Sequence, residues 1–118
     1  MVKEFDKFIE KRLKILDKMK FNLKKVWFDP GIGFGKTLNQ NLQLMRSLSK
    51  YSHKNLQILL GSSRKSWINF IDPSNADQRI GGSLASITHA LQQNVNTFRI
   101  HDVQETNQMI KVLKALNK

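Results

Sequence analysis

The octapeptide Asp29-Pro30-Gly31-Ile32-Gly33-Phe34-Gly35-Lys36 constrains the fold more than any other stretch of the chain. It joins the apolar run Val26-Trp27-Phe28 to a helical pattern that begins at Thr37. An apolar run, glycines at alternate positions and then a helix describe a strand-to-helix turn, with glycine supplying backbone angles that other residues avoid. Alternate glycines also let a backbone approach an anionic or flat ligand closely. Asp29 stands at the tip of the predicted strand, where parallel α/β proteins keep their chemistry. Two commoner phosphate motifs do not fit: a P-loop ending at Gly35-Lys36-Thr37 needs glycine in place of Pro30, and a dinucleotide fingerprint starting at Gly31 needs glycine in place of Lys36. A glycine-rich turn without a ligand is the other reading of the octapeptide taken alone.

The rest of the chain repeats this strand–turn–helix arrangement. Val2, Phe5, Ile9, Leu13 and Leu16 mark an amphipathic helix over roughly 2–20. Predicted strands cover Val26–Phe28, Leu56–Leu60 and Thr97–Ile100. Leu38, Leu42, Met45 and Leu48 form one helical stripe, a short helix covers Trp67–Ile71, and another runs from about Asp77 to Gln93. Asp102 with Glu105 three residues on is a capping-box pattern opening a last helix to about Leu116. Alternating strands and helices imply an α/β fold with a parallel sheet. The unusual residues all follow strands: 29–36, 63–66 and 99–102. That is the active face of a (β/α) barrel, which closes with eight strands and about 250 residues.

A chain of 118 residues with 40% hydrophobic content is one domain with a real core. Without cysteine it has no disulfide frame, no thiolate nucleophile and no Cys-ligated metal. Apolar runs are too short to span a membrane, and residues 1–20 interleave acids with lysines, unlike a signal peptide. These features predict a soluble cytoplasmic protein. The net charge of +11 invites a nucleic-acid reading, but fifteen of the twenty cations are lysines scattered along helical faces, and interleaved surface aromatics are lacking. Solvated basic faces, with a field favouring an anionic substrate, explain the charge better.

Two further segments carry chemistry. Gly61-Ser62-Ser63-Arg64-Lys65-Ser66 ends a strand and opens a helix, so its cations, hydroxyls and free helix N–H groups suit an anion or carboxylate; a capped helix start with solvated cations is the competing reading. Alternation puts Arg99 and His101 on one strand face, where they can grip phosphate oxygens. A charge in an apolar strand needs a partner, whereas a lone histidine beside a cap is often structural. Asp102 reads as the helix cap. The small residues of Arg79-Ile80-Gly81-Gly82-Ser83 read as close packing at a helix start, and His53 and His89 as surface or packing residues.

Taken together, D-P-G-I-G-F-G-K, G-S-S-R-K-S, R-I-G-G-S-L-A and F-R-I-H-D-V resemble the dihydropteroate synthase family, in order and spacing. The resemblance covers the whole chain, residues 1–118, but only the C-terminal part of that family's pterin-binding domain. It implies a partial TIM (β/α)8 barrel: the last three βα units and the helix before them. It also implies condensation of 6-hydroxymethyl-7,8-dihydropterin diphosphate with p-aminobenzoate, releasing diphosphate, in folate synthesis. By resemblance, Asp29 would bind the pterin N–H edge, Lys65 would sit against pterin and aminobenzoate, and Phe34 would pack near the latter. Ser66 would receive the aminobenzoate carboxylate and Ser63 would also bind substrate, while Arg99 stacks over the pterin and joins His101 on the diphosphate. Lys65, Arg99 and His101 are thus the expected catalytic residues.

Mg²⁺ is implied on the departing group, held by a residue of the family's first strand that has no counterpart here; this chain is expected to hold no metal ligand. Other pterin-binding segments of the family also have no counterpart, so the chain reads as a split, decayed or truncated form, inactive alone. A homo-oligomer or a complementing N-terminal half is the expected partner, with no nucleic acid and no membrane. The alternative is a non-catalytic pterin- or phosphate-binding interaction module, and a nucleic-acid-binding protein is a third.

Overall fold

A computed structural model of the chain describes residues 1–53 and 56–118, and the side chain of His53, predicted as a surface or packing residue, lies outside the described residues. The first helix, α1 (Val2–Lys18), buries Phe5 and Ile9 from the predicted stripe. It stops two residues short of the predicted end because Lys20 turns left-handed at φ 55°. The N–H of Phe21 then reaches the carbonyl of Leu16 and that of Lys20 the carbonyl of Asp17, a Schellman ending with lysine where glycine is usual.

A 3₁₀ turn (Leu23–Lys25) leads to Phe28, which pairs with Ile58 through an isolated parallel bridge. Beyond the glycine loop, Thr37 and Gln40 form a capping box that starts α2 (Leu38–Arg46). The predicted stripe through Leu48 is two helices: the chain breaks at Ser47, and α3 (Leu48–His53) follows. The Gln93 side chain bridges the break, donating to the Met45 carbonyl at 2.7 Å and accepting from the Ser49 N–H at 3.0 Å. Next come β1 (Leu59–Leu60) and α4 (Ser66–Ile71). A second 3₁₀ turn (Ala76–Gln78), α5 (Ile80–Gln92), β2 (Thr97–Phe98) and α6 (Val103–Leu116) complete the chain. The predicted helix over 77–93 is thus a 3₁₀ turn followed by α5, divided at Arg79, where φ −106° and ψ 21° leave helical geometry.

β1 and β2 are parallel, with Leu59 opposite Thr97 and Leu60 opposite Phe98. The predicted strands at 26–28, 56–60 and 97–100 therefore run side by side and parallel, but only the latter two form a ladder, shorter than expected. Phe28 contributes one bridge, its N–H bonding the Gln57 carbonyl and its carbonyl accepting from Leu59, while Trp27 has no backbone partner among the described residues. Turn chemistry on both sides keeps the strands short: Gly61 closes β1, and left-handed Asn94 (φ 65°) precedes β2.

The fold is α/β with helices packed on one face. Phe28, Ile58 and Leu60 join Leu44, Met45, Leu48, Tyr51, Trp67, Ile68, Ala90 and Val95 in the core. By strand alternation Trp27 takes the other face, and it is 54% exposed. Among the described residues no helix is long and apolar enough to cross a membrane.

Candidate functional site

The glycine loop has the geometry its sequence requires. Gly31, Gly33 and Gly35 are all left-handed, at φ 68°, 87° and 60°, and an L side chain at any of them would be strained. Asp29 opens the loop by accepting the Gly31 N–H at 2.7 Å. Two residues not expected from sequence hold the rest. Buried Asn41 of α2 accepts the Gly33 N–H at 2.9 Å, and Lys36 Nζ donates to the carbonyls of Gly31 at 2.7 Å and Phe34 at 3.1 Å. Asn41 sits between the apolar positions Leu38, Leu42 and Met45, so periodicity could not single it out; its one signal is a buried-stripe position filled by an amide.

The segment after β1 splits its polar groups between two sides. Ser62 is buried, sharing a 2.7 Å hydrogen bond with the Ser86 hydroxyl, and its carbonyl accepts the Trp67 indole N–H. Arg64 adopts φ 56° and its guanidinium forms a bidentate pair with Asp102, at 3.1 and 2.5 Å. Its backbone is held too, the N–H by Ser83 and the carbonyl by Arg79. The expected pairing of two cations at one anion site is therefore not formed, because Arg64 serves Asp102. In turn Asp102, expected as a side-chain cap, makes no cap bond to α6. The Arg64 guanidinium holds the Asp102 carboxyl below its ordinary range, and that carboxylate raises Arg64.

Lys65 takes the other side. Its Nζ donates to the Ile32 carbonyl at 2.6 Å and lies 4.5 Å from the Phe34 ring centroid, a cation–π contact with the glycine loop. Burial lowers its pKa, the Asp29 carboxylate opposes that, and Arg99 and Lys36 add to it. Phe34 is 65% exposed, Ser66 is the exposed first residue of α4, and Ser63 is buried.

Past β2, Arg99 Nη2 meets Asp29 Oδ2 at 3.3 Å, joining the first and third loops. Arg99 lies just past β2 and is 53% exposed, so this is a surface ion pair and not the buried pairing expected of a charge inside an apolar strand. The same guanidinium lies over Gly61, where a Cβ would come within 2.5 Å of Nη2. His101 Nδ1 is 3.0 Å from Ser63 Oγ.

Asp29, Phe34, Lys65 and Arg99 thus form one contact cluster at the C-terminal ends of three parallel segments, with His101 and Ser63 tied beside it. The cluster can offer a carboxylate to N–H donors, an aromatic and a guanidinium face to a flat ring, and cations to phosphate oxygens. The grooves along α6 and between α5 and α6 lie away from it.

Comparisons with known proteins find one family. The pterin-binding enzyme family matches residues 1–101. The Escherichia coli K12 dihydropteroate synthase is 41% identical over 91 residues, covering 77% of this chain and 32% of that protein. The crystal structure of Yersinia pestis dihydropteroate synthase superposes with a TM-score of 0.91 at 32% identity, covering 98% of this chain and 55% of the other. The Xanthomonas albilineans dihydropteroate synthase with 4-aminobenzoic acid gives 0.91 at 30% identity, covering 98% of this chain and 43% of the other. The chain spans about a third of the length of the curated relatives it matches.

Proposed function

The chain belongs to the pterin-binding enzyme family, and we propose that it forms the C-terminal wall of a dihydropteroate synthase site. The carrying observation is the convergence of Asp29, Lys65 and Arg99 from three loops. The finer architecture we read as part of a (β/α)8 barrel, supported by the parallel register, the one-sided helices and the likeness to solved synthases.

The reaction would join p-aminobenzoate to 6-hydroxymethyl-7,8-dihydropterin diphosphate. The amine nitrogen attacks the pterin methylene carbon, the C–O bond breaks, diphosphate leaves with the electron pair, and the amine gives a proton to solvent. Asp29 would accept from the pterin N–H edge, an exchange eased by its long, half-exposed pair with Arg99. The Arg99 guanidinium would lie over the ring and, with His101, meet the diphosphate. Lys65, beside Phe34, would orient the two substrates, and Ser66 at the start of α4 would receive the aminobenzoate carboxylate. Positioning and stabilisation of the departing anion supply the rate, with no covalent protein intermediate.

The family implies Mg²⁺ on the departing group. Here the Asp29 oxygens are engaged by the Gly31 N–H and Arg99, and no group of three metal-ligating residues occurs among the described residues. The described residues thus offer no ready-made metal site, and no step above runs through one.

The test is p-aminobenzoate incorporation by the chain alone and when supplemented with the remaining N-terminal two-thirds of a relative. Complementation should restore dihydropteroate formation, and Lys65→Ala or Arg99→Ala should lower it about 10²- to 10³-fold. Normal turnover by complemented Lys65→Ala would remove the role assigned to that lysine. Ligand binding without turnover, even when complemented, would favour a binding module.

A further inference from the structure

We infer that Ser63 is a positioning residue that holds the His101 imidazole as its Nε2–H tautomer, presenting a fixed N–H donor to a phosphate oxygen. The inference rests on the proposed diphosphate site for its ligand and on hydrogen-bond accounting for its chemistry. Ser63 is 3% exposed, and its hydroxyl has two contacts, both with one residue. The backbone N–H of His101 donates to Ser63 Oγ at 3.4 Å, and the ring Nδ1 lies 3.0 Å from the same oxygen.

A hydroxyl has one hydrogen to give and two lone pairs to receive with. Were Nδ1 protonated, both N–H groups of His101 would donate to Oγ, and the hydroxyl hydrogen would need an acceptor elsewhere. Among the described residues no other group bonds Ser63 Oγ, and its burial keeps water away. A buried donor without an acceptor is costly. The arrangement that satisfies every group has Oγ–H donating to Nδ1, and the proton of the neutral ring then sits on Nε2. His101 is exposed, and Nε2 has no partner among the described residues. The opposite tautomer would turn a lone pair toward the anion.

The adjacent Arg64–Asp102 pair fastens the same two loops independently. Removing the Ser63 hydroxyl should therefore release the ring's tautomer without separating the loops.

The experiment is ¹⁵N NMR of the His101 ring at pH 8.5 in the unmodified 118-residue chain, in Ser63→Ala and in Ser63→Thr, with titration by inorganic diphosphate. We expect an Nε2–H ring in the unmodified chain, loss of that preference in Ser63→Ala, and retention in Ser63→Thr. Diphosphate should bind Ser63→Ala about ten-fold more weakly than the unmodified chain, as for one hydrogen bond to a charged group. The unmodified chain decides the point even if a variant fails to fold. A ring found as Nδ1–H, or unchanged in a folded Ser63→Ala, overturns the inference. An Nε2–H ring that depends on Ser63, in a chain with no affinity for diphosphate, supports the tautomer assignment and overturns the phosphate reading on which its use depends.

Discussion

Arg64 and Lys65 are neighbours of similar charge that the fold sends to opposite sides of one loop. The left-handed φ of Arg64 reverses the chain between them, so Lys65 meets Ile32 and Phe34 while Arg64 meets Asp102. The sequence announces that the loop is cationic but not the turn, because a non-glycine residue at φ 56° carries no compositional mark. The convergence of Asp29, Lys65 and Arg99 is legible because all three stand at predicted strand ends; Asn41 is not, and Ser63 is legible as a site hydroxyl but not as the partner of His101, because both contacts join residues distant in sequence. Gly61→Ala should show how closely the site is packed. Its Cβ would meet the Arg99 guanidinium, so the variant should fold normally yet bind diphosphate several-fold more weakly, and unchanged affinity would refute that fit. Tyr51 tests the core instead. Burial first, and then its hydrogen bond to Asp6 at 2.9 Å, push its pKa well above the usual value. The native hydroxyl keeps its proton while the unfolded one ionises near pH 10, so this contribution is complete below pH 10 and fades as pH rises beyond it. Tyr51→Phe should cost about 2 kcal/mol at pH 7, with the gap to the unmodified chain narrowing above pH 10 in urea denaturation.

Helices were the more legible elements, since their stripes span several turns, and their errors are confined to breaks. One stripe cannot tell a continuous α2–α3 from two helices divided at Ser47, because the break is stabilised by Gln93, far along the chain. Strands were legible in place but not in length, since edge pairing is decided by neighbours. The small residues opening α5 read as close packing, and Gly82 bears this out: a Cβ there would come within 2.6 Å of the Ile68 side chain of α4, whereas one at Gly81 would meet nothing within 4 Å. Adjacent glycines should therefore respond in opposite ways. Gly82→Val should destabilise the chain by about 1–3 kcal/mol through overpacking, and Gly81→Ala should be neutral or stabilising by less than about 1 kcal/mol. Equal urea midpoints for the two variants would contradict this account of the α4–α5 crossing.

The whole molecule is a slab. Its extents are 44 × 36 × 20 Å, and its radius of gyration of 15.2 Å exceeds the roughly 13.5 Å expected of a compact chain this long. Twenty ångströms is about the depth of one sheet and one helix layer, so the sheet face opposite the helices is left open. Trp27 on that face and Phe34 on the glycine loop are 54% and 65% exposed. The Trp27 edge, without backbone partners among the described residues, can pair with another strand. Against association stands the net charge of +11, which makes like copies repel through water but is screened within about 10 Å at 0.1 M salt. Apolar burial of even ~400 Å² contributes about 10 kcal/mol before association entropy, enough to compete once the charge is screened. The 118-residue chain purified by itself should therefore be monomeric at low ionic strength and associate as salt rises, and Trp27→Lys should suppress the association. Sedimentation at 20 and 300 mM salt decides it: a monomer at both, or a dimer indifferent to Trp27→Lys, would mean that the open face is not the surface that drives association.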